Sequence, residues 1–224
     1  MAIPTVNGTI TTNGAYSSNT VDTTTFTHPV AAGLANSMLV VFTSNREPDG
    51  QPMARVDSIT YDGVALTQVL DEVYLNGFPN NIQTAIYYLV NPHSGTNDVT
   101  INWTEHPNSA LTTVITLQNA GPIDVYDFST SSTQATITKT TNYNNELALC
   151  SVYAVSEAFT AFGAGQTEIS NFNGGSAYYQ NVTRKDVATA GSVTMTSTIA
   201  HNTYNISALV SVRELDFVPQ LIII

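Results

Sequence analysis

Asp98-Val99-Thr100-Ile101-Asn102-Trp103-Thr104 alternates apolar and polar residues one for one. Successive side chains of an extended strand point to opposite faces, so Val99, Ile101 and Trp103 share a core face while Thr100, Asn102 and Thr104 face solvent. The same period of two governs Val193-Thr194-Met195-Thr196-Ser197-Thr198-Ile199 and Tyr204-Asn205-Ile206-Ser207-Ala208-Leu209-Val210-Ser211-Val212, and again predicts one buried and one wet face. Continuous apolar runs over 38–42, 86–90 and 147–155 predict strands that lie centrally in a sheet or are covered on both sides. None of these segments carries the 3.6-residue stripe of a helix.

Turn signals separate the runs. Asp62-Gly63 joins Ser58-Ile59-Thr60-Tyr61 to Val64-Ala65-Leu66-Thr67 as a tight hairpin, and 91–97 joins two strong strands. Longer loops fall at 45–55, 76–81 and 166–176. Only 10% of the residues are charged, and Thr, Asn and Ser fill the polar share; Thr suits a half-exposed strand, and Asn and Ser close turns. The expectation is all-β: roughly ten to twelve strands in a two-sheet antiparallel sandwich, jelly-roll-like. One sandwich domain is expected over 26–216, with an extended N-terminal arm or edge strand over 1–25 and an apolar C-terminal docking tail over 217–224. No internal repeat is visible in the sequence.

A formal charge of −11 with six Lys and Arg repels phosphate backbones and anionic lipid, so neither nucleic acid nor a membrane is an expected partner. Met1-Ala2-Ile3-Pro4 lacks a basic n-region and an apolar h-region. The expectation is synthesis in the cytoplasm, or a signal removed beforehand. Cys150, the single cysteine, lies inside an apolar run and reads as a small buried hydrophobe. The tail is the most informative segment. An exposed Leu221-Ile222-Ile223-Ile224 would template edge pairing, which soluble proteins suppress. Phe217, Val218, Leu221, Ile222, Ile223 and Ile224 are therefore expected to be covered, by the chain's own body or by a neighbour.

Chemistry-bearing patterns are sparse. His28, His93, His106 and His201 are scattered, and none sits at metal-ligand spacing. A glycosidase would need two carboxyls facing one cleft, and Asp71, Glu72, Glu105, Glu157 and Glu168 read instead as solvated groups at strand ends and loops. Asp49 and Asp62 offer oxygen to calcium from turns, but without EF-hand spacing. No enzyme activity and no cofactor are expected. Tyr74, Phe78 and Phe172 are candidate glycan contacts, because flat rings with neighbouring amides suit sugar stacking; Asn76, Asn80, Asn81, Asn171 and Asn173 lie nearby. Trp103 is excluded by its place on the core face.

The strings Val56-Asp57-Ser58-Ile59-Thr60-Tyr61-Asp62-Gly63-Val64-Ala65-Leu66-Thr67, Tyr87-Tyr88-Leu89-Val90-Asn91-Pro92-His93-Ser94-Gly95-Thr96 and Gly163-Ala164-Gly165-Gln166-Thr167-Glu168 resemble a recurrent β-sandwich module of phage particle proteins and bacterial secreted proteins of unassigned role. The resemblance covers most of 26–213 and marks turns and strands, not a site. It implies a virion structural subunit made in a host cytoplasm, a capsid-decorating, cement, tail or fibre protein whose partners are its own copies and a capsid or tail protein. The alternatives are a self-polymerising extracellular filament subunit and a carbohydrate-binding module for surface glycans.

Overall fold

The computed structural model describes residues 2–16, 22–48, 52–75, 80–131, 134–155, 158–174, 178–199 and 204–215. The protein is all-β, and its antiparallel sheets pack face to face. The first half contributes β1 (Thr5–Tyr16), β2 (Thr23–Val30), β3 (Met38–Pro48), β4 (Val56–Tyr61), β5 (Val64–Ala65), β6 (Thr67–Leu75), β7 (Asn80–Val90), β8 (Gly95–Trp103) and β9 (Ser109–Gln118). The second contributes β10 (Ala120–Ser131), β11 (Ala135–Thr140), β12 (Glu146–Val155), β13 (Phe159–Phe162), β14 (Thr167–Asn173), β15 (Tyr178–Val187), β16 (Ser192–Ile199) and β17 (Asn205–Glu214). The seventeen strands among the described residues exceed the expected number because the architecture occurs twice.

One inner sheet runs β1-β9-β3-β7-β6 and the other β10-β17-β12-β15-β14; their outer sheets run β2-β8-β4-β5 and β11-β16-β13. Reading β1 as β10, β3 as β12, β7 as β15 and β9 as β17 turns one order into the other. Each order is a jelly roll: the chain alternates between its two sheets and the last strand inserts beside the first. The registers agree as well, since Met38 pairs with Leu117 and Val90, and Leu147 pairs with Val212 and Asp186. The chain therefore holds an internal structural repeat, which corrects the sequence reading. Apart from β5, which has no counterpart among the described residues, the halves differ mainly in residue identity.

The layers stack outer, inner, inner, outer. Val99, Ile101, Trp103, Leu39, Val41 and Tyr87 fill the first sandwich, and Ile137, Met195, Cys150, Val152 and Leu209 fill the second. Between the inner sheets, Met38, Val40, Phe42, Ile86, Ile115 and Leu117 meet Leu147, Leu149, Val182, Ala208, Val210 and Val212. Across this plane β7 lies against β17 and β9 against β15, while β6 lies against β10 and β1 against β14. Exchanging the halves exchanges the members of each pair of contacts. The chain is thus a pseudo-dimer whose isologous interface follows an approximate two-fold axis. Leu111 and its equivalent Ile206 fall in one cluster, so the axis runs along the strands and both halves point the same way.

This stacking explains the continuous apolar runs, because every described residue of β12 and all of β9 up to Leu117 are buried. It also corrects the reading of 204–212. Ser207 and Ser211 are buried, since the second face of β17 packs on an outer sheet and small hydroxyl residues line it. The run 86–90 is covered only at its start, and Val90 is 51% exposed. Residues 5–16 form the edge of an inner sheet, paired with β9 from Thr5↔Gln118 to Tyr16↔Ser109.

One end of the stack is closed by tight turns. Asp62 (φ 50) and Gly63 (φ 74) make the expected hairpin, and Asn36, Asn91, Asn119 and Asn145 also take left-handed φ values, where Asn tolerates the strain best after Gly. Asn119 alone joins β9 to β10, which leaves the halves almost no freedom. Their register is further held by Gln180: the Thr113 hydroxyl donates to its Oε1 (2.8 Å), and its Nε2 donates to the Phe42 carbonyl (3.4 Å). Gln180→Leu is expected to lower stability by about 1–3 kcal/mol, because polar groups between two sheets lose their partner. Urea unfolding measures this, and an unchanged midpoint would remove Gln180 from the joint.

Candidate functional site

The other end of the stack gathers connections from both halves. In the first half β1, β3, β6 and β8 end here, at Tyr16, Pro48, Leu75 and Trp103, and in the second β10, β12, β14 and β16 end here, at Ser131, Val155, Asn173 and Ile199. Loops carried by a rigid scaffold are the usual seat of recognition. Ile82, Leu111, Tyr153, Val155 and Ile206 form the floor, and the half-buried rings of Tyr74, Phe172 and Tyr178 pack against it.

Arg46, near the end of β3, ties the halves together at this floor. Its Nη1 donates to the Tyr178 hydroxyl and reaches Asn108 Oδ1 at 3.4 Å. The guanidinium carbon lies 5.3 Å from the Tyr178 ring centroid, within cation–π range. The Tyr178 ring is nearly parallel to that of Tyr153, at 5° with centroids 6.5 Å apart. Next to Arg46, Glu47 is buried and accepts the Asn108 backbone N–H at 2.8 Å. Burial pushes its carboxyl above the usual range, while the Asn108 amide and the charges of His106 and Arg46 pull the other way. The result is an aromatic and guanidinium surface over an apolar floor, suited to stacking a flat ring and hydrogen-bonding its rim.

Tyr74 and Phe172 come from β6 and β14, equivalent strands of the two halves, and the structure brings them to the same cluster. Phe78 lies outside the described residues. So do Phe217, Val218, Leu221, Ile222, Ile223 and Ile224, together with Asp49, Glu157 and His201. Asp71 is held by Arg55 at 3.2 Å and by the Gln83 amide, whereas Glu105 and Glu168 are exposed on separate segments. Asp62 accepts from His93 Nδ1 at 2.7 Å in an exposed pair. Among the described residues, no group of three or more His, Cys, Asp or Glu is placed to hold a metal ion.

No protein-family model, no curated protein and no solved structure matches this chain. Its site is therefore read from its own residues. Arg46 and Tyr178 were missed at the level of sequence, although an arginine following the apolar run 38–42 by four residues is a signal. Its partner belongs to the other half, and without the repeat nothing linked the two.

Proposed function

We propose that the protein is a non-enzymatic structural subunit of a virus particle of the phage type, a decorating, cement, tail or fibre protein that associates with its own copies and with a capsid or tail protein. The observation that carries this reading is the tandem jelly roll itself: two sandwiches fused through one apolar plane and a single linking residue. Jelly rolls recur in capsid and lectin domains, and a body this rigid suits a building block. The resemblance of 56–67, 87–96 and 163–168 to particle proteins supports the same reading, as does the apolar segment 221–224, a ready tie between subunits. Light scattering and electron microscopy of the purified full chain test it. Regular oligomers that lose order when 220–224 are deleted are expected; a monomer at every concentration that binds no particle protein would overturn it.

A carbohydrate-binding role is the second reading, favoured by Tyr74, Phe172 and Tyr178 packing on one cluster, with Arg46 over the Tyr178 ring. It predicts glycan-array binding that Tyr74→Ala or Phe172→Ala abolishes while the fold survives. Binding that both variants retain would place any glycan elsewhere.

A further inference from the structure

Of the six Lys and Arg residues in the chain, four are engaged. Arg55 pairs with Asp71 and Lys139 with Asp127, while Arg46 and Arg213 lie over the rings of Tyr178 and Tyr143. The other two, Arg184 and Lys185, are consecutive on β15 and half-buried. Among the described residues, neither side chain makes a hydrogen bond or an ion pair. Both line one cavity of about 140 Å³, together with Gly165, Thr167 and Asp186.

The cavity lies at an open sheet edge. β14 begins with Thr167 paired to Arg184, so β15 continues through Lys185 and Asp186 without β14 beside it. The turn before β14 closes part of that edge. Gly165 takes a left-handed φ of 75, and a Cβ placed there would lie 3.6 Å from Lys185 Cε, so the lysine stem packs across the turn. Gln166 fixes the turn on two sides: its Nε2 donates to the Thr183 hydroxyl (3.0 Å), and its Oε1 accepts the Thr196 N–H (2.7 Å). The walls are therefore set before any ligand arrives, which spares part of the ordering cost of binding.

The two-fold relation supplies an internal control. β14 and β15 share their register with β6 and β7, Thr67 pairing with Tyr88 as Thr167 does with Arg184. Arg184, Lys185 and Asp186 thus stand where the first half has Tyr88, Leu89 and Val90. The fold completes this strand end without charge, so packing does not call for the cations. Nor does solubility, which a net charge of −11 already favours. The side chains suit an oxyanion instead: the Arg184 guanidinium supplies a planar fork of N–H donors, Lys185 a compact charge and Thr167 a hydroxyl donor. The volume admits one small group, and Asp186 at the rim offsets one of the two positive charges.

We infer that this cavity holds one oxyanionic group, a phosphate or a carboxylate, between Arg184 and Lys185. Such a site stands whether or not the protein builds particles. Inorganic phosphate, and acetate in a parallel series, are titrated into the full chain at low ionic strength while the NMR signals of backbone amides and of Lys and Arg side chains are followed. The expected result is a saturable shift confined to 165–167 and 184–186. Arg184→Gln and Lys185→Gln each weaken binding about tenfold or more, Asp186→Asn tightens it, and Arg55→Gln leaves it unchanged because Asp71 already holds that cation. A shift that does not saturate, that appears equally at Arg55 and Lys139, or that survives in both Arg184→Gln and Lys185→Gln overturns the site. Light scattering of the same samples separates the two sources of the anion. Phosphate bound to a monomer makes it a free ion, whereas oligomers that both phosphate and Arg184→Gln dissociate place a neighbouring copy's carboxylate in the cavity.

Discussion

Produced separately, residues 1–118 and 119–224 are each expected to aggregate or to pair with themselves, and to regain a monomer-sized compact particle only when mixed. The reason is the plane between the inner sheets. Met38, Val40, Phe42, Ile86, Ile115 and Leu117 on one side, and Leu147, Leu149, Val182, Val210 and Val212 on the other, are buried there. Each large side chain contributes about 1.5–3 kcal/mol on burial. Their sum, even after allowing for a compact unfolded chain, is at least as large as the roughly 5–15 kcal/mol scale on which a whole domain is stable, about 10 kcal/mol or more. Self-pairing is the natural alternative because the interface is isologous: each half already carries a face shaped for a close relative of itself. Size-exclusion chromatography with light scattering and dye binding to exposed apolar surface report the outcome. A half that stays monomeric, binds no dye and unfolds cooperatively would show that the plane is dispensable.

Acid is expected to destabilise the first sandwich through His28. This side chain is fully buried, with Nδ1 2.8 Å from the Thr11 hydroxyl and Nε2 3.0 Å from that of Thr116. Desolvation lowers its pKa from 6.5 to about 4. Because the folded value lies below the unfolded one, the unfolded chain takes up the proton first as pH falls. The stabilisation is therefore complete above about pH 6.5 and is lost progressively towards pH 4, on the order of 3 kcal/mol in all. Glu47 and Glu146 act with the opposite sign. Burial raises both carboxyls, so their ionisation opposes folding as pH rises and acid relieves that term. Urea midpoints at pH 7.5 and 4.5, compared between the native chain and His28→Asn, isolate the histidine. Parallel curves for the two proteins would assign the acid sensitivity elsewhere.

The fold was legible wherever one strand reports on its own surroundings. Val99, Ile101 and Trp103 are buried and Thr104 is exposed, as period-two alternation requires, and the run 147–155 is covered on both faces. The repeat was not legible, because the halves conserve side-chain direction and bulk while changing identity: Met38 answers to Leu147, Val40 to Leu149, Ile115 to Val210 and Leu111 to Ile206. Ser207 and Ser211 misled for a related reason, since a hydroxyl small enough to fit between sheets reads in sequence as a solvent-facing residue. At the candidate site, Tyr74 and Phe172 could be chosen as loop-proximal aromatics, but their convergence depends on the two-fold relation. Arg46 and Tyr178, 132 positions apart, are joined only by the packing of one half on the other.

Thr5 pairs with Gln118 and Ala120 with Glu214, so each jelly roll closes only when its last strand has left the ribosome. The first can close once about 118 residues have emerged, but its inner sheet then waits for nearly a hundred more. At roughly 5–20 residues per second, that interval is about 5–20 s. During translation a wide oily face stands uncovered for seconds, and a nascent-chain chaperone that shields it would raise the yield of the finished molecule.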